Sequence, residues 1–403
     1  MSKNFKDIDF IFPKKVDTKS FSKIACFEPF SDQVVDYLDA LSKELSKDPD
    51  IRNFPDIATF GFFCRRANIL FLKKKNYFDN HLRLGRGILF HIAPSNVAVN
   101  FAYSLVSGLL AGNFNIVRVP SKNFKQVNII SNAIIRVSKK TEHEFISSRI
   151  VLLRYDRISS ATAYFSSICD VRIIWGGDDT ISEIRKNKIP PRSFDVTFAD
   201  RFSICVINAD EYINEKFPKK IAQGFYNDTY LFDQNACTAP HLLIWLGNKN
   251  KVKKAKNIFW DSLYDYVKLN YEVQPVIAVD KLTSFFNQSV SINKIKKTPT
   301  PDNLIWRVEL KNLIINIDEY RSSCGYFFEY HASSLSLINN IIDQKYQTLA
   351  YYGITHNELN EFVKKEKPKG IDRIVPIGRT SDFSLIWDGI DLIKTLSRVV
   401  DLK

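Results

Sequence analysis

Phe232-Asp233-Gln234-Asn235-Ala236-Cys237-Thr238-Ala239-Pro240 sets one cysteine in a short polar segment that runs into the apolar block Leu242-Leu243-Ile244-Trp245-Leu246. A thiol at the mouth of a buried strand, preceded by side-chain amides, is rigidly held and partly exposed, as a nucleophilic thiolate must be. The competing reading is that Cys237 is a small core hydrophobe, as most cysteines are. An oxyanion site and a cofactor pocket elsewhere in the chain decide between the two. His241 falls at the start of the apolar strand and reads as structural rather than as half of a Cys-His dyad. The histidines lack HxxxH or HxH spacing, and Cys26, Cys64, Cys169, Cys205, Cys237 and Cys324 contain no CxxC pair. No metal and no disulfide framework are expected, and the default setting is a reducing cytoplasm.

Positioning such a thiol takes a sheet. Gly87-Ile88-Leu89-Phe90-His91-Ile92 reads as a buried strand, Pro94-Ser95-Asn96 as a turn, Val97 to Leu110 as a helix stopped at Gly112, and Asn115 to Val119 as the next strand. This is one βαβ unit of a parallel sheet. Phe124 to Val137 and Ser159 to Ile168 read as further helices, with strands at Ile150 to Leu153 and Val171 to Trp175. Gly176-Gly177 then opens a helix. Small residues between a strand's carboxyl end and a helix amino terminus make an anion and nucleotide crevice, although the GxGxxG fingerprint is absent.

Before this sheet, residues 1 to about 84 read as short helices, one capped at Ser31 or Asp32 and one from Asp56 to Leu72. Beyond Phe194, strands are expected at 196–198, 203–207, 276–279 and 313–315, and helices at Asp210 to Phe225 and Lys254 to Leu269. Lys281 to Asp302 reads as a polar surface excursion.

At 403 residues the chain exceeds what one core usually serves. The formal charge of +13 comes from dispersed lysines and not from a basic motif, which argues against a nucleic-acid binder. Genomic compositional bias explains it first, and attraction of anionic ligands second. Met1-Ser2-Lys3-Asn4-Phe5-Lys6-Asp7 lacks the apolar run of a signal peptide and no stretch approaches the roughly 20 apolar residues of a membrane span, so neither a leader nor a span is expected.

Several segments, in order along the chain, resemble one family. GILFHIAPSNVAVNFAYSLVSGLLAGNFNIVRVPS, Gly87 to Ser121, is similar to the cofactor-domain opening of the aldehyde dehydrogenase superfamily. Trp175-Gly176-Gly177-Asp178 resembles its later nucleotide loop, and Gln234-Asn235-Ala236-Cys237 its thiol loop. Arg373-Ile374-Val375-Pro376-Ile377-Gly378-Arg379, with Asp382-Phe383 and Trp387-Asp388-Gly389, is similar to the acyl-CoA reductase branch, the LuxC-type fatty-acid reductases. The likeness extends over roughly residues 80 to 403 and is specific in combination.

The resemblance implies an α/β, aldehyde dehydrogenase-like fold. Residues 1–207 would form N-terminal helices and a Rossmann-type cofactor domain, and 208–375 a second α/β domain carrying the cysteine loop. Residues 376–403 would be a helical tail returning to the cofactor domain or to a subunit interface. The implied activity is NADPH-dependent reduction of a long-chain acyl-CoA or acyl-protein thioester to the aldehyde. Cys237 would carry the acyl group, and Asn96 with the Cys237 backbone N–H would hold the oxyanion. Asn96 also reads as a helix cap. Pro94, Ser95, Gly176 and Gly177 would line the cofactor site. Arg118, Ser121 and Lys122 suit a ribose 2′-phosphate, though Arg118 and Lys122 also read as a solvated strand end. Glu329 would take the nicotinamide ribose, within Phe327-Phe328-Glu329-Tyr330, which departs from the family pattern. Ala199 stands where hydrolytic relatives carry a water-activating glutamate, with Asp200 beside it.

Expected partners are an acyl carrier, an acyl-protein synthetase or acyltransferase, and further copies of the chain. The rival readings are a hydrolytic aldehyde dehydrogenase and a non-catalytic scaffold of the same fold.

Overall fold

The computed structural model describes residues 7–76, 81–94 and 97–403. The chain divides into two compact units, Met1–Ala199 with Phe383–Lys403, and Asp200–Asp382. The first contributes β1 (Asp9–Phe12), β2 (Leu82–Gly85), β3 (Ile88–Ile92), β4 (Phe114–Arg118), β5 (Ile150–Arg154), β6 (Val171–Trp175) and β7 (Phe194–Phe198). All but β2 form one sheet in the order β1-β5-β4-β3-β6-β7. It is parallel except for β1, a strand within the region expected to be wholly helical.

Alternation along β3 divides its side chains between two cores. Leu89 joins the helices Asp32–Leu45 and Asn100–Leu110 on one face, while Ile88, Phe90 and Ile92 join Phe165 on the other. A strand apolar on both faces reads as an unbroken run, which is how the sequence marks it. Gly112, at φ 88°, ends Asn100–Leu110 in the left-handed conformation open to glycine.

The second unit contributes β8 (Phe202–Asn208), β9 (Pro240–Leu246), β10 (Lys296–Pro299), β11 (Trp306–Glu309), β12 (Tyr326–Ala332), β13 (Tyr346–Tyr352) and β14 (Arg373–Pro376). Their order is β10-β11-β12-β9-β8-β13-β14, parallel except at the β10 edge. Because β8 pairs with β9 and β13, the first boundary lies at 199/200 and not at 207. The second lies at 382/383 and not at 375. After β14 the backbone N–H groups of Gly378 and Thr380 donate to the buried Asp228 carboxylate at 2.6 and 2.9 Å, which keeps that turn in the second unit.

Residues 383–403 pack in the first unit, with Leu385, Trp387, Leu392, Ile393 and Leu396 in its core. The tail expected to be helical over 376–403 is α-helical only at Leu392–Leu396, and Ser397–Val400 is a strand antiparallel to β2. Arg83 draws that segment extended, donating to Ser397 Oγ at 2.9 Å and to the Lys394 carbonyl at 2.8 Å.

Other elements also differ from expectation. The helix read from Asp56 to Leu72 is two, Pro55–Phe63 and Arg66–Asn76, broken where Asn68 Nδ2 takes the Phe63 carbonyl. Asp210 to Phe225 divides into Ala209–Tyr212 and Pro218–Thr229, the second opened by a proline in its first turn. Residues 276–279 belong to the helix Pro275–Ser291, which also takes half of the expected surface excursion, and Leu313–Ile315 forms no strand. No helix among the described residues is long and apolar enough to cross a membrane.

Candidate functional site

Cys237 lies in the second unit at a turn closed by Ala239 N–H to the Ala236 carbonyl at 2.9 Å, immediately before β9. It is half-buried; Cys64, Cys169, Cys205 and Cys324 are buried, and only Cys26 matches its exposure. Burial raises the pKa of Cys26, Cys64, Cys169 and Cys205, so those thiols are poor nucleophiles. The Cys237 carbonyl accepts the hydroxyl of Ser203 on β8 at 2.6 Å, and Ser203 Oγ in turn accepts the Thr348 N–H of β13 at 3.2 Å. The turn is thereby tied to two neighbouring strands.

His241 stacks on Phe202 and meets the Ser322 carbonyl through Nδ1 at 3.1 Å. Burial, with the Arg321 charge, depresses its pKa to about 3. It is a neutral structural ring. Asp200 pairs with Arg321, which also donates to the Arg201 carbonyl at 2.9 Å. Glu329 is buried in mid-strand. Its Oε1 accepts Trp245 Nε1 at 3.0 Å and Trp260 Nε1 at 2.8 Å, and its Oε2 accepts Arg307 Nε at 2.9 Å. Lys256 Nζ stands 3.7 Å away. These partners account for a buried carboxylate without a ligand.

In the first unit, strand order reverses between β3 and β6, the point at which open α/β sheets take ligands beyond their strands' carboxyl ends. Pro94 follows β3 there, and Gly176-Gly177 follows β6. Arg118 ends β4 alongside, where its carbonyl accepts the Ala93 N–H at 3.2 Å. The Arg118 guanidinium lies 4.7 Å from the Tyr155 ring centre and donates to the Tyr155 carbonyl at 3.1 Å. Ser121 is exposed, and Lys122 Nζ stands over Phe124 at 5.0 Å. A Cβ added at Gly177 would meet nothing within 4 Å, so this turn faces open space. Asp178 and Asp179, exposed in the first turn of Asp178–Arg185, oppose a phosphate at that helix end. The fit to a dinucleotide therefore rests on the β3 and β4 strand ends. Ser95 and Asn96 lie outside the described residues.

The acyl-CoA reductase (LuxC) family profile matches residues 66–399. The chain belongs to that family. A long-chain acyl-protein thioester reductase of Vibrio harveyi is 23% identical over 322 residues, which is 78% of this chain and 63% of that protein. This LuxC-family chain thus spans less than two thirds of that relative's length. Among solved structures, aldehyde dehydrogenase 21 of Physcomitrella patens aligns over 95% of the chain and 88% of its own at a TM-score of 0.66 and 10% identity. A 1-pyrroline-5-carboxylate dehydrogenase mutant of Thermus thermophilus aligns over 94% and 82% at 0.62 and 12% identity. The fold is that of the aldehyde dehydrogenases.

The LuxC-family crevice stands on a buried polar chain that the sequence did not announce. Trp175 Nε1–H donates to Ser104 Oγ at 3.1 Å; because Asn115 Nδ2 donates to the Asn113 carbonyl, Asn115 Oδ1 faces His91 Nε2–H, and the neutral ring's Nδ1 accepts the Ser104 hydroxyl at 2.7 Å. His91 Nε2–H then donates to Asn115 Oδ1 at 3.0 Å. Burial holds the His91 pKa down at about 4, and the ring is neutral. Gln234 and Ser203, which brace the cysteine turn, were likewise missed as site residues. Alternation, which places Ser203 on the inner side of a strand start, was the one available signal.

Proposed function

We propose that this chain reduces a long-chain acyl thioester, presented on coenzyme A or on a protein, to the aldehyde, and that the acyl group passes through Cys237. The observation that carries this reading is the half-buried Cys237 turn, braced to β8 and β13, in a chain whose Cys64, Cys169, Cys205 and Cys324 are buried. Attack by the Cys237 thiolate forms a carbon–sulfur bond at the acyl carbonyl and expels the donor thiolate, which takes up a proton. The Cys237 backbone N–H is assigned to the tetrahedral oxyanion, with the Asn96 amide kept as the second donor only on the family resemblance, and loss of one such donor costs about 3 kcal/mol.

Reduced nicotinamide, when bound, supplies the hydride that converts the thioester to aldehyde. Pro94, Ser95, Gly176 and Gly177 are assigned to the cofactor site, and Arg118, Ser121 and Lys122 to a ribose 2′-phosphate, hence NADPH. Ala199, in the place of a water-activating glutamate, leaves the acyl-cysteine without a base to hydrolyse it, and the carboxylate of Asp200 is engaged by Arg321. The name borne by the Vibrio harveyi relative supports the substrate class. The charge of +13 favours anionic donors such as coenzyme A.

Intact mass after mixing with a long-chain acyl-CoA tests this directly. One acyl adduct is expected on the wild type, none on Cys237→Ala, and addition of NADPH is expected to discharge the adduct as aldehyde. An adduct that forms equally on Cys237→Ala, or that NADPH leaves in place, would refute the reading.

A further inference from the structure

Gln234 is almost wholly buried, and all four hydrogen-bonding positions of its amide are used. Nε2 donates to the Pro240 carbonyl and to the Tyr326 carbonyl, both at 3.0 Å. Oε1 accepts the Gly325 and Tyr326 N–H groups, also at 3.0 Å. The contact with Pro240 closes residues 235–239 into a loop whose middle residue is Cys237. The contacts with Gly325 and Tyr326 anchor that loop to the entry of β12.

The backbone on both sides of this clamp is held in a conformation that side chains disfavour. Asp233, Gln234 and Cys324 lie at φ 51°, 61° and 58°, and Gly325 lies at φ 87°. Cys324 N–H donates to the Asp233 carbonyl at 3.0 Å, which joins the two left-handed segments. Left-handed non-glycine residues persist where the surroundings over-determine them, and they gather at functional sites. Here they gather on either side of the one clamp that spans the thiol loop.

We propose that Gln234 is the positioning residue of Cys237, holding the thiol loop against β12 so that the sulfur meets the acyl carbonyl in a reactive geometry. Only a primary amide serves, because the loop offers two carbonyls and two N–H groups at one point. A carboxylate cannot donate to Pro240 and Tyr326, and a thioether of similar length can do neither task. The role in acyl capture rests on the reductase reading, whereas the role in thiol presentation does not.

The test uses the full chain with Gln234→Met, Gln234→Glu and Ser203→Ala. Ser203→Ala releases the Cys237 carbonyl from the other side by removing one oxygen. Two rates are followed on the Cys237 peptide by mass spectrometry: alkylation by iodoacetamide across pH, and acyl capture from an acyl-CoA. Displacement of a reacting group by about 1 Å costs on the order of 100-fold. Acyl capture at saturating acyl-CoA is therefore expected to fall about that much in Gln234→Met with KM little changed. Gln234→Glu is expected not to rescue it, and both are expected to move the alkylation profile.

Folded variants that keep the wild-type profile and capture rate would overturn the proposal while leaving the reductase reading intact. A wild type that takes no acyl group, beside variants that still alter alkylation, would sustain the clamp and refute the reductase. If circular dichroism finds both Gln234 variants unfolded, Ser203→Ala decides: an altered alkylation profile supports the positioning role, and an unchanged one overturns it.

Discussion

His91 in the first unit and His241 in the second are buried neutral imidazoles, and each fills a place where an uncharged ring completes a hydrogen-bonded arrangement. His91 links Ser104 to Asn115, and protonation would set a second donor against the serine hydroxyl. Its folded pKa of about 4 lies below the unfolded value near 6.5. Between those values the unfolded chain holds a proton that the folded chain refuses. The contribution is therefore complete above about pH 6.5 and is lost as pH falls toward about 4. Between pH 7 and about pH 5 this amounts to about 2 kcal/mol for the one group. Urea unfolding of the wild type and His91→Gln at the two pH values checks it. The stability difference between them is expected to shrink by that amount at the lower pH. Among cysteines, sequence located the reactive candidate through its polar flank, yet it carried no sign of the Gln234 clamp. Four partners, drawn from positions 240, 325 and 326, meet that amide only after β9 and β12 pair.

At the level of elements, Gly108 sets how closely the helix Asn100–Leu110 approaches β4. A Cβ placed there would lie 1.9 Å from Asn115 Oδ1, the oxygen that takes the His91 proton. Helix propensity favours alanine over glycine by about 1 kcal/mol. Overpacking and a disrupted buried hydrogen bond outweigh that, and Gly108→Ala is expected to lose about 2–3 kcal/mol, read as a lower urea midpoint. The parallel strands of the first sheet were legible because burial on both faces leaves an unbroken apolar run between glycine and proline stops. The helix Pro275–Ser291 was illegible for the opposite reason. Val276, Val279, Leu282, Phe286 and Val290 face outward, whereas Lys281 and Gln288 are buried, Lys281 reaching the Asn303 carbonyl at 2.8 Å. A reader who takes apolar residues as the inner face places that helix backwards, and its first turn then looks like a strand. Ser397–Val400 misled because its extended form comes from Arg83 and β2, more than 300 residues away.

Across the whole molecule, more than one unit was foreseeable from length and from the repeated alternation of strands and helices, but the number and the boundaries were not. The α/β class follows from local pattern, while the membership of β8 and of residues 383–403 follows from pairing between distant segments. Leu396 is fully buried in the first unit's core, so Leu396→Ala is expected to cost about 3 kcal/mol. Calorimetry or limited proteolysis should register that loss in the first unit and leave residues 200–382 unchanged. The pairing of β2 with Ser397–Val400 also orders events in time. The first unit is interrupted by the whole of Asp200–Asp382 and stays incomplete until residues 383–403 are made. The nascent chain must therefore keep an unfinished apolar surface from aggregating for nearly two hundred residues of synthesis, until Leu385, Trp387, Leu392, Ile393 and Leu396 arrive to cover it.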